Sequence, residues 1–183
     1  MFENFLSIMI FVPIIAGLAT FVLPFSKEAA RIIGLAVSVI VVLLGLKVFL
    51  SFSGASGAFE FVEHIPINES LGISYSLGVD GISILVLAAA ATLFPKVYLL
   101  FQTKEKGYNA NLLIVQGAMI GAVAATDMVL FYVFWEVMLL PVFFMIGLYG
   151  GPNRLPATIK ITIYTIAGSL LMLASIIYLG IAH

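Results

Sequence analysis

Residues Asp127–Gly150 read D-M-V-L-F-Y-V-F-W-E-V-M-L-L-P-V-F-F-M-I-G-L-Y-G. The run is long enough to cross a bilayer as a helix, for which about 20 apolar residues suffice. One carboxylate, Glu136, sits near its middle. Holding an ionisable group at that depth costs roughly 2.5 kcal/mol or more, which makes it a candidate for function. Five residues on, Pro141 has no N–H to give the carbonyl of Val137. A gap in the backbone ladder therefore lies beside a buried acid, as an ion or proton site in a membrane requires.

The rest of the sequence belongs to the same class. Of 183 residues, 63% are hydrophobic and 9% charged, and the mean hydropathy is +1.22. This is the profile of a polytopic integral membrane protein. A net charge of -1 offers no basic field for nucleic acid. Cysteine is absent, which excludes Cys-ligated iron–sulfur clusters and disulfides. The two histidines, His64 and His183, fall outside the expected spans, leaving no histidine-based haem or metal site within the membrane. No Gly-rich phosphate loop is present. The sequence thus carries no redox centre or nucleotide site, and no cofactor is expected on it. Moving a charge against a membrane potential takes about 2.3 kcal/mol per 100 mV, so any pumping must be driven by partner proteins.

Hydropathy and turn residues predict an all-α fold of six transmembrane helices, at about 5–23, 32–52, 81–101, 112–126, 128–149 and 157–180, forming one membrane domain over 1–183. The first run lacks a basic n-region and a small-residue cleavage site, so it is expected to be retained as a helix. Residues 53–79 form the one long polar segment. Its alternating runs F-E-F-V-E-H-I-P-I and I-S-Y-S-L-G-V predict a short hairpin over the membrane face, weakened by Pro66. Asn68-Glu69-Ser70 matches a glycosylation acceptor, a triplet common by chance. Lys27, Arg31, Lys104, Lys106 and Arg154 fall in the loops 24–31, 102–111 and 150–157, and none falls on the other side. The bias places those loops inside and both termini outside.

Several other residues have a packing reading. Asp80 is placed as an N-cap for the third helix. Lys47 and Lys96 can snorkel to the interfaces, and Pro95 should kink the third helix. Gly117-x-x-x-Gly121 gives the fourth helix a small face for close packing, with Gln116 available to bond across it. Glu136 starts about nine residues in from the outer end, roughly 12 Å deep. A cation approaching or leaving it would unload or load a proton. Lys160, the one base of the sixth helix, lies near the inner end and well below Glu136. Tyr132, Tyr164, Thr165 and Ser169 are the other polar groups of the last two helices.

The core F-W-E-V-M-L-L-P resembles the antiporter-like subunit M of NADH–quinone oxidoreductase, respiratory complex I, known as ND4 in mitochondria. S-L-G-V-D-G-I-S at 76–83, A-T-D-M-V-L-F at 125–131, A-T-I-K-I-T-I-Y-T at 157–165 and G-S-L-L-M-L at 168–173 resemble the same family in order. The likeness runs over most of the chain. It implies the N-terminal part of an antiporter-like inverted-repeat fold, and proton translocation coupled at a distance to quinone reduction. Glu136 matches the family's essential glutamate, and Asp127 and Lys160 match recurrent charged positions. NADH, flavin, iron–sulfur clusters and quinone would belong to partner subunits, with L-like and N-like subunits as membrane neighbours. A cation/proton antiporter subunit, a membrane-bound hydrogenase subunit and a non-translocating scaffold are the alternatives. Family members have more than twice as many helices, so the resemblance implies either a truncated piece or a split subunit. The lysine that would pair with Glu136 is then expected elsewhere.

Overall fold

A computed structural model describes residues 4–54, 58–68, 72–100 and 105–182. Glu3, Lys104, His183 and most of the Asn68-Glu69-Ser70 triplet lie outside them. Six helices and one hairpin follow in the order α1 (Phe5–Val22), α2 (Lys27–Ser51), β1 (Glu60–Asn68), β2 (Ile73–Val79), α3 (Ser83–Leu100), α4 (Lys106–Ala124), α5 (Met128–Tyr149) and α6 (Arg154–Ala182).

Five of the helices are long and apolar enough to cross a membrane; α4 is not. The expected count of six spans is corrected to that extent. The reason is position. α4 packs against α1, α2, α3 and α5, and most of its residues are buried, Asn109, Asn111 and Gln116 among them. A helix enclosed by other helices need not be apolar enough for lipid. The same polar residues explain why α4 begins at Lys106 and not near 112: its first turns are buried but not hydrophobic. α2 likewise starts early, at Lys27, because the Ser26 hydroxyl accepts from Ala29 N–H as an N-cap.

Close approach within the bundle depends on glycine. A Cβ on Gly117 would collide with the Ile10 carbonyl of α1, and one on Gly17 would lie 2.8 Å from the Ala110 carbonyl of α4. A Cβ on Gly121 would lie 2.6 Å from the Phe134 ring of α5. The two glycines of the G-x-x-x-G run thus serve two different neighbours. Between α2 and α4 the Ser38 hydroxyl donates to Gln116 Oε1 at 2.7 Å, a polar contact inside the bundle.

Side-chain contacts define two opposite faces. On one, acids meet the N-termini of α1, α3 and α5. Glu63 of β1 accepts from Leu6 N–H at 2.8 Å and from Ser7 N–H at 3.2 Å. Asp80 accepts from Ser83 N–H at 2.7 Å. Asp127 accepts from Val129 and Leu130 N–H, both at 2.9 Å. On the other face, bases meet the C-termini of the same helices. Lys106 donates to Leu23 O at 2.7 Å, Arg31 to Tyr98 O at 3.2 Å and Arg154 to Leu148 O at 3.1 Å. Acids at helix N-termini and bases at C-termini complement the peptide dipoles. An exposed ion pair, Lys27–Glu105 at 2.9 Å, joins α2 and α4 on the basic face.

The hairpin covers the acidic face. β1 and β2 pair antiparallel, with Glu60 opposite Val79 but Glu63 opposite Leu77. One extra residue therefore sits in β1, and Phe61 takes a positive φ of 55°. Such a bulge shifts the in-out alternation by one. It turns Glu63 inward beside buried Leu77 and leaves Val62 exposed, which lets Glu63 reach α1. β2 is fastened to the turn that leads into α5 by Thr126 N–H to Ser76 O at 2.9 Å and by Ser74 N–H to Asp127 Oδ2 at 3.1 Å.

The glycine contacts give a direct test. Gly117→Ala should lower bundle stability by about 1–3 kcal/mol through overpacking, because the obstructing atom is backbone. Gly168→Ala should not lower it, since a Cβ there meets nothing within 4 Å. Thermal unfolding of both variants in detergent checks the difference.

Candidate functional site

α5 and α6 form the open edge of the bundle. Only 11% of the most apolar window of α5 and 6% of that of α6 is buried, against 33% for α1 and α3. Along this edge the two helices enclose an apolar cleft of about 510 Å³. Glu136 lies in it, with Val137, Leu140 and Phe143 of α5 facing Thr162, Thr165 and Ile166 of α6. Glu136 is eight residues from the start of α5, about 12 Å from the acidic face. α5 stays helical through Pro141, which is buried. Val137, whose carbonyl Pro141 cannot serve, is a wall of the cleft.

The hydroxyl of Ser169 donates to Glu136 Oε1. Ser169 is itself only 4% exposed. The carboxylate is thus half-buried, held from one side, and open on the other to a cavity with little else that is polar. Among the described residues the one ion pair is Lys27–Glu105, so none of their bases neutralises Glu136.

The structure does not bring Lys160 to Glu136. Nine residues separate it from Ser169, about 13 Å along the axis and half a turn round the helix. It is exposed and outside the cleft lining. Asp127 is committed elsewhere: one oxygen caps α5 and the other accepts from Ser74 of β2. Both positions are charged, but they stand apart from the carboxylate in the cleft. Tyr132 and Tyr164 line no part of it either.

A second acid was not singled out by sequence. Glu63 is 7% exposed and takes three donors from α1, the third being the Ser7 hydroxyl. Ser7 Oγ also lies 2.6 Å from the Tyr75 hydroxyl. The one Ser7 proton goes to Glu63, so Tyr75 donates to Ser7. Burial pushes the Tyr75 phenol above its usual value, with the Ser7 bond opposing and the Glu63 charge adding to the rise. The strand alternation hid this acid, because the bulge that buries it reverses the pattern. On the same face, bonds from Ser53 hold the Glu60 carboxyl below its usual range, and bonds from Ser83 do so for Asp80. Among the described residues no three acids or histidines gather to hold a metal ion.

Residues 125–181, which contain Glu136, Lys160 and Ser169, match the transmembrane family described as NADH:quinone oxidoreductase/Mrp antiporter. NADH-quinone oxidoreductase subunit M of Rhodobacter capsulatus is 35% identical over 96% of the chain and 35% of its own length. Over nearly all of its length the chain is thus similar to the first third or so of a subunit M protein. F(420)H(2) dehydrogenase subunit M of Methanosarcina mazei is 37% identical over 93% of the chain and 35% of its own length. The chain thus spans about a third of the length of these relatives. Among solved structures, respiratory complex I from Thermus thermophilus with bound NADH superposes with a TM-score of 0.81 at 28% identity, covering 92% of the chain and 34% of the matched one. Together with five helices long and apolar enough to cross a membrane, the similarity marks an integral membrane protein.

The geometry separates Ser169 and Lys160, both on α6, by consequence. Ser169→Ala leaves a carboxylate without its donor and should destabilise the bundle by about 1–3 kcal/mol. Lys160→Ala, at an exposed position, should stay within about 0.5 kcal/mol. Unfolding of the two variants under one detergent condition compares them.

Proposed function

We propose that this chain is part of a proton-translocating membrane-arm subunit of the subunit M type, in which Glu136 takes up and releases a proton. Quinone reduction, and the NADH, flavin and iron–sulfur clusters it uses, belongs to partner subunits. The chain's assembly is then a translocase, with no redox step on the chain itself. One observation carries the reading: Glu136 opens into an apolar cleft at the least buried edge of the bundle, held by a serine and without a cation. A carboxylate does not face lipid at that depth without a partner. Another protein surface bearing a base therefore closes the cleft. Movement of that base toward Glu136 favours the carboxylate, and its withdrawal favours the acid.

In this reading the basic face is the inner one, because Lys and Arg collect on the side from which they are not translocated. The hairpin and both termini then lie outside. Membrane neighbours are L-like and N-like subunits of the same arm. Asp127 serves as the helix cap and strut that fixes the start of α5, and Lys160 as a charge near the inner interface. The similarity to a subunit of F(420)H(2) dehydrogenase favours a second reading, in which the same relay is driven by a different electron donor.

In the assembled complex, Glu136→Gln should lower proton pumping and coupled quinone reduction by about a hundredfold, the scale of losing a proton-transfer group. The amount of complex should be unchanged. Pumping and turnover at the unsubstituted level would refute the relay. Loss of complex with normal activity in what remains would assign Glu136 to scaffolding.

A further inference from the structure

The serine and threonine hydroxyls of α6 do not all behave alike. Thr158 donates to Arg154 O at 2.7 Å, Thr165 to Ile161 O at 2.6 Å and Ser175 to Leu171 O at 2.9 Å. Each turns back onto the carbonyl four residues before it, a common way for a hydroxyl inside a helix to be satisfied away from water. Ser169 is the exception. The corresponding carbonyl is that of Thr165, but the Ser169 hydroxyl reaches across to Oε1 of Glu136 on α5. It does so from a position only 4% exposed. The bond to Glu136 therefore replaces one that the helix itself offers.

Glu136 gives that choice a consequence. Among the described residues it is the one titratable side chain lining the cleft, and its two states need opposite partners. A carboxylate only accepts, whereas a carboxylic acid also has an O–H to donate. A group that only donates, such as a lysine, serves the first state and leaves the acid's O–H unanswered. A hydroxyl serves both, because it has one donor and two lone pairs. Ser169 also has a place for its own proton when the acid turns toward it, namely the Thr165 carbonyl. Its bond goes to Oε1 of Glu136, and Oε2 takes no hydrogen bond from the described residues. The serine thus holds one carboxylate oxygen and leaves the other for a partner from outside.

We propose that Ser169 is a two-way positioning residue for Glu136. It donates to the carboxylate. When Glu136 is protonated, it accepts from the acid's O–H while its own hydroxyl turns back to Thr165 O. The inference rests on Glu136 exchanging a proton. Ser169 itself stays neutral and keeps its bonds in both states; only Glu136 gains or loses the proton. Neither state then leaves an unanswered polar group in the cleft, a cost that otherwise sets one state against the other. The carboxyl is held against α6 in each.

Infrared difference spectra between high and low pH, recorded on the complete complex at rest, observe the two states directly. Bands that vanish in Glu136→Gln belong to this side chain. Ser169→Ala removes the hydroxyl, and Ser169→Thr keeps it. The expected result is that Ser169→Ala shifts both the carboxylate bands and the C=O band of the acid. The C=O band moves to higher frequency, as for a carboxyl that has lost a hydrogen bond, and Ser169→Thr restores both positions. Ser169→Cys, close to serine in shape but a weak donor and acceptor, shifts them as alanine does, and decides the question where the alanine variant does not assemble. A shift of the carboxylate bands alone overturns the proposal, because Thr162 or Thr165 on the cleft wall then takes the acid's O–H. Equal shifts in Ser169→Ala and Ser169→Thr overturn it as well, since they mark a change of packing. So does the absence of any Glu136 band across the pH range, because an acid that keeps one state has no use for a two-way partner. The spectra are taken at rest, so they are decided apart from pumping by Glu136→Gln, which judges the relay.

Discussion

A bilayer core provides no hydrogen bonds, so every polar group placed there must be answered by the protein. That constraint organises this chain at each level. At the membrane faces it concerns helix ends, whose first N–H and last C=O groups have no partner in the helix. Acids answer the N-termini of α1, α3 and α5, and bases answer their C-termini. The Lys/Arg bias that sets topology therefore also closes the helices. Glu63 meets this need from 57 residues away, and the hairpin bulge is the local distortion that lets it do so.

Within the membrane the same constraint separates two kinds of polar group. Gln116 sits in the enclosed bundle, where its Oε1 accepts from Ser38 while its buried Nε2 has no partner among the described residues. Its contact is sealed on all sides and serves packing. Glu136 lies at the other extreme, on the edge where burial falls to its lowest values. It has one donor and an open cavity. An acid satisfied on one side only is suited to exchange, because its second partner can come and go. Burial thus falls from α4 out to α6, and Glu136 lies at its low end.

Much of this could be read in the sequence, for identifiable reasons. Glu136 was legible because a lone carboxylate in a long apolar run stands out, and Pro141 marked its neighbourhood. Asp80 was legible as a cap because it precedes a hydrophobic run. Both Gly117 and Gly121 announced close packing, though not that they face different helices. What failed was whatever depends on surroundings. The first turns of α4 looked too polar for a span because enclosure by other helices is invisible to hydropathy. Glu63 looked like a surface residue because one inserted residue reverses strand phase. The spacing of Thr158, Thr162, Thr165 and Ser169 puts their hydroxyls on one face of α6, but does not say that α5 lies against it or that Ser169 turns to Glu136. By the same periodicity Lys160 falls on the far side of α6, away from Glu136.

The central claim is that the Glu136 carboxyl changes protonation during turnover. Infrared difference spectroscopy of the complete complex, poised before and after driven turnover, observes this directly through the carboxyl C=O band. The account predicts a protonated-carboxyl signal that appears or vanishes with turnover and is missing in Glu136→Gln. A difference spectrum that Glu136→Gln leaves unchanged would mean that this acid keeps one state throughout, and would contradict the account.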